Sequence, residues 1–205
     1  MKRLVSSFIA FFFIQMICIA NNAFNTDSVK IEYQVHGNDT LVIEKLKSLY
    51  ACGLKQYINN SRVNYNNADY DVIHEEKNNF LKHNASNIIQ DILSGYKKEQ
   101  RREMLKTLLS EENNIICYIR LRINIKGEIT CVEFMFIPSF SPFMTYENIK
   151  RNTEIIIKRK PEPFLTEYGI ELSPWITIPI HKNTLQKFIE EIMIKTIDKE
   201  IISEH

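Results

Sequence analysis

The chain has 205 residues, of which 44% are hydrophobic and 25% charged, and its 26 basic and 25 acidic residues give a formal charge of +1. This balance excludes a general electrostatic attraction to nucleic acid or to an anionic membrane. The length is enough for one domain with a hydrophobic core, with or without a helical extension.

The N-terminus has the pattern of a secretory signal peptide. Two basic residues precede an apolar run over residues 4–20, and Cys18 and Ala20 are the small residues of a cleavage site before Asn21. We therefore predict a signal peptide over residues 1–20 and a periplasmic or secreted mature chain. Removing two of the 26 basic residues leaves 24 against 25 acidic ones, a charge of −1. Two alternatives stay open, a retained membrane anchor and a lipid on Cys18, and only these would attach the protein to a membrane.

The first half of the mature chain is predicted to begin with a strand and to continue as a helix. Apolar side chains alternate over residues 29–35, which indicates a strand that ends at a turn over residues 36–39. Apolar residues then recur at three- and four-residue steps over residues 46–57. We expect a helix there, behind a cap at Asp39 or Thr40.

Two further helices complete this half. An asparagine-rich stretch over residues 59–70 is typical of a loop, and helical periodicity returns over residues 74–93 and 97–110. Gly95 lies between these two segments. We expect it to end the first of them in the left-handed conformation, which glycine adopts without strain.

The clearest pattern is a hairpin that begins near residue 115. Its first arm alternates between two sets of side chains, Cys117, Ile119, Leu121, Ile123 and Ile125 on one face and Tyr118, Arg120, Arg122 and Asn124 on the other. This period predicts an antiparallel strand with one face in the core and one in water. Residues 124–127 suit a turn closed by a left-handed Gly127. Ile129 and Val132 should both face the core, together with Phe134 and Phe136, which requires a further bulge near Thr130 and Cys131.

A helix, an edge strand and a final helix follow the hairpin. Prolines within residues 138–142 end the second arm, and Thr145 can cap the helix that comes next. A last strand is predicted over residues 172–180, where Pro174 and Pro179 near its ends indicate an edge or terminal position. Asn183 is expected to cap the last helix.

This order of elements resembles a known family. A strand, the Gly127 turn, a strand with Val132 and Phe134, a helix, a proline and the strand 175–180 are similar to the C-terminal domain of TonB and its periplasmic relatives. The similarity covers about residues 115–181. It implies a strand-strand-helix-strand nucleus, and it implies a membrane-tethered envelope component if the N-terminal segment is retained.

The predicted fold is therefore α+β, with a small antiparallel sheet and helices packed on one face. We expect a signal peptide at 1–20, an N-terminal strand plus helical region at 21–114, and the TonB-like region with its C-terminal helix at 115–205. The last two regions are expected to form one compact unit, in which the strand over residues 29–35 can join the sheet.

The sequence carries no recognisable catalytic or metal-binding motif. His-Glu-Glu at residues 74–76 lacks the second histidine of a zinc-protease helix, because position 78 is asparagine. The mature chain keeps Cys52, Cys117 and Cys131, an odd number that does not make a disulfide framework. Cys117 is expected to be buried opposite Phe136. We predict no enzymatic activity, no catalytic residue, no metal and no cofactor.

The residues that we expect at a binding face are Arg120, Arg122 and Trp175. Basic residues near 150–160 are a second candidate for an anionic ligand, although cations are also favourable at a helix C-terminus. The predicted function is a non-enzymatic periplasmic or cell-surface module that binds a protein or ligand. An exposed sheet edge would accept a partner strand or pair with a second copy. The alternatives are a tethered relative of the TonB-type transducers and an enzyme whose site is made of dispersed residues.

Overall fold

Strands from both halves of the chain build one sheet. The computed structural model describes residues 30–46, 48–58, 70–124, 126–159 and 175–203. Its strands are β1 (Lys30–His36), β2 (Asp39–Lys45), β3 (Tyr50–Leu54), β4 (Ile115–Ile123), β5 (Ile129–Phe136) and β6 (Ile176–His181). Its α-helices are α1 (Tyr70–Ser94), α2 (Lys98–Ser110), α3 (Tyr146–Ile157) and α4 (Lys182–Ser203). Short 3-10 helices span Lys55–Tyr57 and Pro138–Phe143. The predicted signal peptide and the loop over residues 59–69 lie outside the described residues.

The described strands form one open antiparallel sheet in the order β1-β2-β3-β5-β4-β6. The pairing of β3 with β5 joins the N-terminal strands to the C-terminal hairpin of β4 and β5. This arrangement confirms the predicted α+β fold and the membership of the strand near residues 29–35 in the same sheet. β1 and β6 are the two edges, and the edge position of the strand that contains Pro179 is confirmed.

The register of the β4–β5 hairpin is the predicted one. Cys117 lies opposite Phe136, and the pairing then passes along β5 from Cys131 to Ile129 and skips Thr130. This bulge confirms the predicted one, because it allows the apolar residues on either side of it to face the core although their spacing is odd. Cys117 is buried, as expected.

Two tight turns depend on glycines with positive φ. Gly127 has φ of 72°, its N–H donates to the Asn124 carbonyl at 3.0 Å, and the Asn124 N–H donates to the Glu128 carbonyl at 2.9 Å. These bonds confirm the predicted hairpin loop with a left-handed glycine. Gly37, in the two-residue turn between β1 and β2, has φ of 61°, as the primed hairpin turns require at their first central position.

The helices pack on one face of the sheet, here called the helix face. Side chains from helices and strands meet there around a small apolar cavity of about 40 Å³, whose walls include Ile92, Met104, Ile119, Phe134 and Leu185. Ile149 and Ile156 of α3 are fully buried in the same core. The opposite face, here called the open face, carries Arg120 of β4 and Glu133 of β5.

The helix predicted over residues 46–57 is wrong, because this part of the chain lies in the hairpin of β2 and β3. Cys52 pairs with Ile43 of β2 and with Phe134 of β5. A five-residue segment is too short for its apolar pattern to distinguish the two-residue period of a strand from the 3.6-residue period of a helix. Its conformation is therefore determined by the pairing with a distant strand. Gly53 allows β3 to lie this close to β5, since a Cβ at position 53 would lie 2.9 Å from the Val132 carbonyl oxygen.

Two helix ends also differ from prediction, whereas a third is confirmed. Gly95 is not left-handed, because α1 ends in tightened bonds of the 3-10 type, from the Gly95 N–H to the Ile92 carbonyl at 3.2 Å. Asn183 is not the cap of α4, which already begins at Lys182 as β6 ends. Thr145 does cap α3, and its hydroxyl accepts a bond from the backbone of residue 148.

The neighbours Leu108 and Leu109 on α2 give a matched test of the core. Leu108 is 0% exposed and Leu109 is 73% exposed. We expect Leu108→Ala to lower the free energy of unfolding by about 2–5 kcal/mol, because it leaves a cavity, and Leu109→Ala to change it by less than about 1 kcal/mol. Urea denaturation followed by circular dichroism measures both values. Equal losses in the two variants would contradict this packing of α2.

Candidate functional site

The three residues predicted at a binding face lie together on the open face. The guanidinium carbons of Arg120 and Arg122 lie 4.5 and 4.6 Å from the centroid of the Trp175 ring. This group, here called the Arg–Trp cluster, arises because β6 pairs with β4, which brings the residue just before β6 beside two alternate residues of β4. Cation–π attraction stabilises such contacts.

Arg120 is also held by a carboxylate of the neighbouring strand. Its Nη1 donates to Oε2 of Glu133 at 2.6 Å, across a directly opposed pair of residues. Burial raises the pKa of Glu133; the Arg120 charge opposes this shift and the nearby Glu44 adds to it. Arg120 therefore has a structural partner in addition to the indole ring.

The burial of Arg122 corrects the prediction that its whole face of β4 lies in water. The Arg122 side chain is buried, with 6% of its surface exposed, and Cys131, directly opposite on β5, is 1% exposed. Trp175 covers this part of the face through its ring. The binding face expected from the alternation is thus closed at Arg122 and more accessible at Arg120.

The basic cluster predicted near the end of α3 is engaged within the chain. Its members are Lys150, Arg151, Lys158, Arg159 and Lys160, the last of which lies outside the described residues. Three of them have partners: Lys150 at the Asp39 carboxylate, Arg151 at the Gly95 carbonyl and Arg159 at the Asp91 carboxylate. These contacts tie α3 to β2 and to α1. The charged groups of these three side chains are therefore already engaged within the chain.

The cysteines do not have the surroundings of nucleophiles. Cys52, Cys117 and Cys131 are buried free thiols. Burial raises the pKa of Cys117 to about 12 and raises that of Cys52 well above its ordinary value. The thiols of Cys52 and Cys117 therefore stay protonated at neutral pH. Within the described ranges, no three His, Cys, Asp or Glu side chains are grouped as a metal ion requires.

A polar network holds the β1–β2 hairpin against α3. The Asp39 carboxylate accepts bonds from the Tyr146 hydroxyl at 2.7 Å and from Lys150 Nζ at 2.8 Å, and the His36 ring stacks on Tyr146 with centroids 3.8 Å apart. The bonds from Lys150 and Tyr146 lower the pKa of Asp39, and Asp39 in turn raises the pKa of both partners. The hairpin is therefore anchored at its turn.

A polar cleft of about 500 Å³ lies between this hairpin and the start of α3. Glu32, Gln34 and His36 line one side, and Thr145 and Glu147 line the other. A hydrogen bond from its own backbone N–H, and a second one with the Thr145 side chain, lower the pKa of Glu147. No local sequence pattern indicated this cleft, because its walls come from segments that are far apart in the chain.

The side chains of β1 that alternate with those lining the cleft lie on the open face of the sheet. Ile31, Tyr33 and Val35 are 47%, 62% and 73% exposed. No described strand pairs with the outer side of β1. The alternation of apolar and polar residues predicted this strand. It did not predict that the face of β1 carrying the apolar side chains would remain exposed.

Comparison of the chain with models of protein families, with curated proteins and with solved structures found no match. In the part of the chain that the structure describes, no helix combines the length and apolar composition needed to cross a membrane. The class is therefore defined by the structure itself, an α+β protein whose antiparallel sheet has one edge carrying a proline and another carrying exposed apolar side chains.

Glu133 is expected to make stability depend on pH. Its raised native pKa means that the folded chain retains a proton which the unfolded chain has already lost. The free energy of unfolding should therefore fall as the pH rises from about 4.5 through the native pKa of Glu133. Glu133→Gln should remove this fall, whereas Glu128→Gln, which keeps Glu133, should retain it. Urea denaturation at a series of pH values tests this, and an unchanged trend in Glu133→Gln would contradict it.

Trp175 is the only tryptophan of the chain, so its fluorescence reports on the Arg–Trp cluster alone. Arg122→Ala removes a guanidinium that covers the ring, and we expect the acrylamide quenching constant to rise about twofold. Arg102→Ala on the exposed side of α2 is the control and should leave the constant unchanged. Identical quenching in wild type and Arg122→Ala would show that Arg122 does not shield the ring.

Proposed function

We propose that the protein is a non-enzymatic binding module of the cell envelope, which accepts an extended segment of a partner along the outer edge of β1. The observation that carries this proposal is the exposed stripe of Ile31, Tyr33 and Val35 on a terminal strand of the sheet. An added strand would bond to the backbone of β1 and cover the flanks of these side chains.

The two edges of the sheet differ in a way that supports this choice. β6 contains Pro179, which cannot donate a backbone hydrogen bond, and proline at an edge discourages strand addition. β1 contains neither proline nor glycine over its seven residues. It is the edge of the described sheet with the fewer features that oppose pairing.

The hairpin anchor also favours β1 as a docking edge. Asp39, Tyr146 and Lys150 fix the end of the hairpin on α3, and Lys45 of β2 bonds to Glu32 of β1 at 2.8 Å. An edge that is already ordered loses less conformational entropy when a partner strand binds. The strand is thus prepared for pairing before a partner arrives.

The setting of this module follows from the signal-peptide pattern at residues 1–20, which supports export to the periplasm or cell surface. The order β4, β5, α3, β6 is the strand-strand-helix-strand order on which the resemblance to the TonB C-terminal domain rests. A tethered relative of TonB-type transducers is therefore the second candidate, and retention of the N-terminal segment would favour it.

Photo-crosslinking in the native host tests the docking edge. Val35 and Leu109 are each 73% exposed, so benzoylphenylalanine at either position has equal access to random collisions. We expect adducts from position 35, with the cross-linked site in one extended segment of the partner, and few from position 109. Tyr33→Pro, which removes an outward N–H, should abolish the adducts from position 35. Equal yields from both positions would refute a docking edge at β1.

A further inference from the structure

The backbone of β1 presents a regular set of bonding groups on its outer side. The turn between β1 and β2 has two residues, Gly37 and Asn38, so His36 lies opposite Asp39. In an antiparallel pair, alternate residues direct both N–H and C=O toward the partner strand. The backbone groups of Glu32, Gln34 and His36 therefore bond to β2. The backbone N–H and C=O groups of Ile31, Tyr33 and Val35 point outward.

The side chains divide in the same way as the backbone groups. Glu32, Gln34 and His36 face the polar cleft, whereas Ile31, Tyr33 and Val35 lie exposed on the other face of the sheet. A strand that adds to this edge must therefore alternate apolar and polar residues, with the apolar ones on the open-face side. β1 itself has this pattern.

The sequence of β1 is complementary to itself about Tyr33. If two copies pair antiparallel with Tyr33 opposite Tyr33, then Ile31 lies opposite Val35 and Glu32 opposite Gln34. All three outward residues of each strand would then take part, which gives about six backbone hydrogen bonds. A pairing centred on Gln34 or on Glu32 would use only two of the three, for about four bonds. Centring on Glu32 would also oppose two like charges.

We infer that the partner of the β1 edge is a second copy of this chain, paired antiparallel about a two-fold axis at Tyr33. This inference rests on the proposed function and names the partner at the same edge. The two-fold axis stands perpendicular to the sheet, so the two sheets become one and both sets of helices remain on the same side. Three apolar cross-strand pairs then cover the flanks of the β1 side chains that are exposed in the single chain.

Cysteine cross-linking reads the register directly. In a Cys18→Ser background the remaining cysteines are buried. Tyr33→Cys would place two Cα atoms about 5.5 Å apart at the axis, within the range of a disulfide. Ile31→Cys would place its two copies about 14 Å apart, beyond that range. The double variant Ile31→Cys, Val35→Cys would restore cross-linking, because the cysteine at position 31 of one copy then lies opposite the cysteine at position 35 of the other.

The experiment is oxidation of the purified full chain with copper phenanthroline, followed by non-reducing electrophoresis, with sedimentation velocity on the uncross-linked protein. We expect Tyr33→Cys and the double variant to give mostly covalent dimer, and Ile31→Cys to give less than about a tenth as much. Tyr33→Pro should weaken the dimer at least about tenfold, since one outward N–H is lost from each strand. Val35→Lys provides a second disruption, which places a charge among the apolar pairs.

The outcomes separate this inference from the function on which it rests. A chain that stays monomeric at about 100 μM, or a dimer that Tyr33→Pro and Val35→Lys leave intact, overturns the self-pairing. Equal cross-linking at positions 31 and 33 overturns the register and with it the two-fold pairing. If self-pairing fails while photo-crosslinking from position 35 reaches a segment of another protein, the docking edge stands and only its partner was wrong. If both experiments fail, the proposed function fails as well.

Discussion

The register of the β4–β5 hairpin is the constraint on which the rest of the structure depends. Side chains alternate between the two faces of a strand, so a slip by one residue would exchange core and solvent along its whole length. The bulge at Thr130 keeps Ile129 and Val132 on the helix face together. β3 then pairs with β5 and β6 with β4, so every described strand takes its place from this hairpin, directly or through β3.

Charged side chains at the candidate sites serve this architecture. Arg120 binds Glu133 and the Trp175 ring, while Lys150 and Arg159 bind carboxylates on other elements. A guanidinium committed in this way would have to break a contact before it could bind an anion. For this reason the proposed docking surface is the backbone edge of β1 rather than the Arg–Trp cluster.

The edges of the sheet complete this picture. An edge strand exposes backbone groups that attract other strands, and folded proteins usually oppose this with proline, charge or a covering element. β6 has Pro179, but the open-face side of β1 has three exposed apolar side chains. A partner strand along this edge would cover the flanks of these side chains and reduce their exposure to water, which is the physical basis of the proposed interaction.

Much of the fold could be predicted from local patterns. The alternation in β4, the Gly127 turn, the bulge near Thr130, the cap at Thr145 and the edge position of Pro179 were each predicted and confirmed. These features depend on the conformational preferences of neighbouring residues, which are visible in the sequence itself. The three residues expected at a binding face also lie together, although no sequence pattern indicated that both arginines would pack against the Trp175 ring.

The sequence by itself determined the α+β class and the register of the hairpin, because both follow from short-range periodicity. Only the tertiary structure decided that residues 50–54 form a strand, since Tyr50 and Cys52 pair with Phe136 and Phe134 far along the chain. It also decided that Arg122 is buried and that β1 is an edge. Burial and edge position depend on which distant segments pack beside a residue, and local sequence carries no record of that.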